Sequence, residues 1–215
     1  MDTNIVKLDD LRKDVVYKDD KGQFFKIFRV EYSENPRSWV NTFTFFTWEG
    51  DNESPDKTDR ALQEFAEAHE VNTQKEWSLS TVIDKMNRDG YLALPIYGEM
   101  YGCSYYSLDN SGDPWSRTSI GIAFVERSRP GLKGISDKRL KAIAEEEMKE
   151  YDAWVQGDVW GIALLSSHNE WLDSSSGYLG TKDWASLLKE MMSAVGILIQ
   201  DEYKIAKVTT ITYLE

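Results

Sequence analysis

Cysteine is almost missing from this 215-residue chain. Cys103 is the only one, so no intramolecular disulfide can form, and a reducing compartment is the expectation. Histidine is nearly as scarce. His69 and His168 stand alone, neither with metal-ligand company at helical or knuckle spacing, so no metal and no cofactor are expected. No apolar run approaches the length of a membrane span. Met1-Asp2-Thr3-Asn4 is polar and acidic, without the apolar centre of a signal peptide, so a cytoplasmic protein with no membrane partner is expected. Positive charge is also in deficit, with 25 Lys and Arg against 37 Asp and Glu and a net charge of −12. Direct nucleic-acid binding through counterion release is disfavoured by that balance, and basic partners are favoured.

Catalytic patterns are missing too. Asn110-Ser111-Gly112-Asp113 has neither the lysine nor the spacing of a phosphate-binding loop. Cys103 and His168 could form a nucleophile–base pair, but nothing local supports it, and a small buried cysteine is the plainer account. Non-enzymatic action is the expectation.

What is present is core-forming material. Apolar residues make up 41% and aromatics 13%, with eight Trp and eleven Tyr. The pattern predicts a single α+β domain over 1–215: a mainly antiparallel sheet, two long helices packed on it, and a shorter helical pair within 55–89. Residues 1–22 read as a loose arm. Gln23–Glu34 alternates, Ser33 to Arg37 is a turn cluster, and Trp39–Trp48 is rich in Thr and aromatics, which predicts a hairpin. Ser54 with Pro55 starts a helix of about four turns along Leu62, Phe65, Ala66 and His69, and a second helix follows over 81–89. Tyr91–Tyr97 and Ser119–Val125 read as buried strands. Ser166–Gly180 reads as a loop or frayed hairpin, Thr181 as the cap of a long helix over 182–203, and 205–214 as a last strand.

The centre is a helix over 137–156, capped by Ser136 and stopped by Gly157, between strands 119–125 and 159–165. A parallel crossover between those strands, right-handed if present, is left open. Leu140, Ile143, Ala144, Met148, Tyr151 and Val155 make its core stripe. Its charges oppose its own dipole: Lys138, Arg139 and Lys141 crowd the first turns, while Glu145, Glu146, Glu147, Glu150 and Asp152 lie toward the negative end. Each misplaced exposed charge costs about 0.3–1 kcal/mol. A plain solvated face is one account. An acidic surface kept for a basic partner is the sharper one, with Glu145, Glu146, Glu150 and Asp152 as candidates, flanked by Asp56, Asp59, Glu64 and Glu67. The loop 107–116 is the strongest turn signal, and Asp109, Asp113 and Trp115 are its candidate functional residues.

Several landmarks resemble a family of small phage and mobile-element proteins. They are Glu34-Asn35-Pro36-Arg37, Leu94-Pro95-Ile96-Tyr97, Asn110-Ser111-Gly112 to Trp115, Ser119-Ile120-Gly121, and the Glu150–Gly161 block. The chain departs from the family at Asp113–Gly121 and lacks an Asp-His-Ser-Gly after the Leu-Pro strand. The resemblance implies a phage or mobile-element origin, hence a host-cell cytoplasm, and no established activity. With the net charge it suggests a phage accessory protein that inhibits a host defence nuclease of the anti-CRISPR or anti-restriction kind, through an acidic surface mimicking DNA. The expected partner is then a basic protein, such as a nucleic-acid-binding defence protein. The alternatives are an interaction module whose acidity only keeps it soluble, and a small-ligand binder using residues 97–120.

Overall fold

A computed structural model describes residues 5–47, 55–56, 79–99, 105–110 and 117–206. Ten strands and three α-helices lie among them. In chain order the strands are β1 (Ile5–Lys7), β2 (Val16–Lys18), β3 (Phe24–Arg29), β4 (Thr44–Thr47), β5 (Tyr91–Glu99), β6 (Tyr106–Ser107), β7 (Arg117–Glu126), β8 (Val159–Leu165), β9 (Trp171–Leu179) and β10 (Glu202–Ile205). The helices are α1 (Leu79–Arg88), α2 (Asp137–Val155) and α3 (Trp184–Ala194). The chain divides into two compact units, residues 1–34 with 157–215, and residues 35–156.

The first unit is a six-stranded antiparallel sheet in the order β1-β10-β2-β3-β8-β9. Strand residues alternate between faces, so Phe25 and Ile27 of β3 point to the same side as Ile162 of β8. Leu187, Leu188, Met191 and Met192 of α3 close over them, with Tyr17 and Tyr203 in the same core. The second unit is a four-stranded antiparallel sheet, β4-β7-β5-β6, with a helix on each face. Leu92, Ile96, Ala123 and Val125 pack against Leu140, Ala144, Met148 and Tyr151 of α2. Ala93 and Ile122, of the opposite parity, pack against Val82 and Met86 of α1. Gly121 lets β4 approach β7, since a Cβ there would lie 2.1 Å from the Phe46 carbonyl oxygen.

The expected architecture of one sheet, two long helices and a helical pair is corrected. Among the described residues there are two sheets, and only α2 is long. The segment over 182–203 is helical only at Trp184–Ala194: the Asp183 side chain, not Thr181, accepts the capping N–H, from Ser186 at 2.9 Å. Gly196, at φ 71°, ends it, although Leu198 and Ile199 continue the apolar spacing. Of the helical pair, the second member is α1, and the first falls almost wholly outside the described residues. The 23–48 hairpin is also corrected. β3 pairs with β2 and β8, whereas β4 pairs with β7 in the other sheet. β7 and β8 likewise belong to different sheets, so α2 makes no parallel crossover. The opening arm holds β1 and β2, and 166–180 is a turn followed by β9.

Candidate functional site

α2 forms where expected, with the Ser136 hydroxyl accepting the Arg139 N–H at 3.3 Å. Its acids part into two kinds. Glu145 and Glu146 are exposed to solvent, and Glu150 is half-buried. Glu147 and Asp152 turn inward. Glu147 accepts the N–H of Thr42 (2.7 Å) and of Phe43 (3.1 Å), and pairs with Arg37 at 3.3 Å. Asp152 accepts the Tyr106 N–H at 2.7 Å, fastening β6 to the helix.

Arg37 is the centre of this arrangement, its side chain only 3% exposed. Its Nε and Nη2 meet both oxygens of Asp56, at 3.0 and 2.7 Å, in the fork geometry that favours arginine over lysine. Nη2 also donates to the Phe43 carbonyl at 2.6 Å, and the guanidinium lies 4.1 Å from the centroid of the Phe45 ring. Asp56 in turn closes β4: its carboxylate accepts the Phe45 N–H (2.6 Å) and its own N–H donates to the Phe45 carbonyl (3.2 Å). Two carboxylates and one guanidinium thus take up the N–H groups of Thr42, Phe43 and Phe45 and the Phe43 carbonyl.

The two phenols beside it, Tyr151 and Tyr106, stay protonated at neutral pH. Burial first, then the neighbouring Tyr106 and Asp56, push the Tyr151 hydroxyl far above its ordinary value, against the pull of Arg37. Tyr106, 5.1 Å from it ring to ring, is raised by burial as well. Burial also raises the Asp152 carboxyl, opposed by its bonds to Tyr106 and Gln156. Asp137, at the exposed start of α2, is held below the usual carboxylate range by the Arg127 fork at 3.1–3.2 Å.

Of the candidate acids, then, Glu145 and Glu146 share an exposed helical surface, Glu150 lies half-buried on the same helix, and Asp56 and Asp152 are bonded into the fold. Asp59, Glu64 and Glu67 lie outside the described residues, as do Asp113, Trp115 and Cys103. Asp109 is exposed in a turn where the Ser107 hydroxyl accepts its N–H at 2.9 Å. Among the described residues no group of His, Cys, Asp and Glu could hold a metal ion, and no helix is long and apolar enough to cross a membrane. Arg37 and Glu147 were not among the residues singled out. Glu147 had a readable signal: it follows Ile143 by four and Ala144 by three, which places it on the flank of the core stripe. Arg37, in a turn, had none. Comparison of the chain with protein-family models, curated proteins and solved structures gave no match.

Proposed function

We propose that this protein acts by binding another protein, presenting to a basic partner the carboxylates that its fold leaves in solvent. One observation carries this: Glu145 and Glu146 stay exposed in the middle of the long helix, in no salt bridge among the described residues, while Glu147, Asp152 and Asp56 are consumed in holding strands. A second concentration of acid lies in the sequence at 49–76. That stretch has nine acids against three bases, half of the net −12, and includes Asp59, Glu64 and Glu67. In its narrower form the partner is a nucleic-acid-binding defence protein and the chain its inhibitor; the net charge and the phage-family resemblance support that form. The basic start of α2 argues for a footprint of both signs rather than an uninterrupted DNA mimic.

The test is the variant Glu145→Lys with Glu146→Lys, which leaves the half-buried Glu150 alone. A partner is first isolated by salt-graded capture from bacterial lysate. Rim carboxylates act mainly on encounter, so its association rate should fall severalfold and the salt dependence should flatten. Folding stability should stay within about 0.5 kcal/mol. An unchanged association rate with an intact fold would mean that this face is merely solvated.

A further inference from the structure

Asp19 is a carboxylate buried without a counter-charge. It is 3% exposed, at the turn that joins β2 to β3. Its N–H donates to the Gln23 carbonyl (3.0 Å), and its Oδ1 accepts the Gln23 N–H (2.8 Å). Its Oδ2 is buried with no hydrogen-bond partner, and so is the side-chain oxygen of Gln23. Buried polar atoms are left unpaired so rarely that each such oxygen needs a cause.

The two unpaired oxygens belong to facing residues. Tyr17 pairs with Phe25 and Lys18 with Phe24, so Asp19 and Gln23 form the next pair across the hairpin. Lys204 pairs with Lys18, which sets Tyr203 beside Asp19 on its other flank. By alternation Gln23, Asp19 and Tyr203 share the face of Tyr17 and Phe25, whereas Lys18, Lys26 and Lys204 project from the opposite face. Burial raises the Tyr203 hydroxyl, and the Asp19 and Asp201 charges push it the same way, against its bond to the Gln200 N–H. Asp19 is in no salt bridge among the described residues. Its turn is pinned from outside, the Asp20 N–H donating to the Gln200 side chain at 3.2 Å.

We infer that Asp19 and Gln23 hold a hard cation of the calcium class, taken between Asp19 Oδ2 and the Gln23 side-chain oxygen. A water molecule could donate to both oxygens but would leave the buried charge unmatched, and an unmatched buried carboxylate is far costlier than an unpaired neutral oxygen. A cation answers both. The donors are oxygens alone, which disfavours zinc and copper. Calcium accepts irregular shells completed by water, whereas magnesium demands a near-ideal octahedron. Gln23 is only half-buried, so water can complete the shell from its side. With a single carboxylate the affinity should be low, roughly 10⁻⁴–10⁻³ M. The donor pair is one carboxylate and one amide rather than a cluster of acids, and it is independent of the acidic face of α2.

Titration of the chelator-stripped full chain tests it. At calcium tenfold above its dissociation constant the melting temperature should rise by roughly 3–6 °C. Terbium, an oxygen-seeking stand-in for calcium, should luminesce when Tyr203 is excited and be displaced by calcium. Asp19→Asn should abolish the calcium shift and most of that luminescence. In chelator it should melt no lower than the wild type, because it removes an unmatched charge while keeping an acceptor for the Gln23 N–H. Gln23→Ala, at a half-buried position, should weaken binding severalfold, and Glu145→Gln with Glu146→Gln should leave it unchanged. A wild-type chain unresponsive to about 10 mM calcium would overturn the inference. So would an Asp19→Asn chain that responds like the wild type, or one that melts well below it in chelator.

Discussion

Glu147→Ala is expected to destabilise the second unit far more than Glu146→Ala, although the two residues are neighbours on one helix. Glu147 is 13% exposed and accepts two backbone N–H groups besides pairing with Arg37. Truncation leaves the donors of Thr42 and Phe43 without an acceptor, at about 1–3 kcal/mol each where buried. Arg37 keeps its fork to Asp56, so the loss on that side stays below the roughly 3–5 kcal/mol of a fully orphaned buried charge. The combined effect is about 3–5 kcal/mol. Glu146, solvent-exposed, should give no more than about 0.5 kcal/mol. For a chain of this size a 3 kcal/mol gap is about 6–12 °C in melting temperature.

Urea denaturation of both variants beside the wild type would measure this, followed by tryptophan fluorescence and circular dichroism in parallel because two units need not unfold together. Glu147→Gln refines the test. It keeps one acceptor oxygen but loses the charge, and should fall between the other two. Equal midpoints for Glu147→Ala and Glu146→Ala would refute the clamp. They would show that the carboxylate is replaceable by water.

Two further expectations concern the same unit. Met148→Asp places a carboxylate where 1% of the residue is exposed, so a loss of several kcal/mol is expected; an unchanged melting temperature would contradict the core assignment of α2. The pH dependence should carry terms of opposite sign. Asp152, raised in the fold by burial, favours folding most while protonated and loses that contribution as pH rises through its folded pKa, so Asp152→Asn, which keeps an acceptor for Tyr106, should hold or gain stability at neutral pH. Asp137, lowered by Arg127, stabilises above its unfolded value near 3.9 and loses this as pH falls through the folded pKa, so Asp137→Asn should flatten the acid limb of a melting curve; an identical limb would contradict that assignment.

How much of this was legible depended on the range of the interactions. Ser136, Leu140, Ala144, Met148 and Tyr151 declare α2 through contacts within four residues, and local rules find them. Strand character at 24–29 and 44–47 was equally local, but their partners were not. β3 finds Val159–Leu165 and β4 finds β7, at separations where alternation carries no information. The hairpin looked natural because the two runs are neighbours in sequence. What parts them is the Pro36–Ser38 turn with Arg37 buried behind it, held by carboxylates 19 and 110 residues away. The overlong second helix failed for a different reason. Val195, Leu198 and Ile199 continue the helical period, yet Gly196 breaks the backbone and leaves Leu198 and Ile199 exposed.

The acids of α2 show how charge pattern and function can be separated. The dipole acts within the last turn, so of these acids only Asp152 sits where it is unfavourable, at about 0.3–1 kcal/mol when exposed; Glu145, Glu146 and Glu147 lie roughly two turns or more before Val155. Glu147 has a structural cause, since hydrogen bonds to charged groups contribute about 1.5–3 kcal/mol each and it accepts two from the main chain. Asp152 has one such bond, to Tyr106. Glu145 and Glu146 are in no salt bridge among the described residues and are flanked by Lys141 and Lys149 at helical spacing, whose i,i+4 contributions are only a few tenths of a kcal/mol. The reversed charge pattern therefore has a structural cause at 147 and 152 and none of comparable size at 145 and 146. It is at those two positions that a requirement from outside the fold, such as a basic partner, has the most to explain, and where a charge reversal can report on binding without first disturbing the sheet.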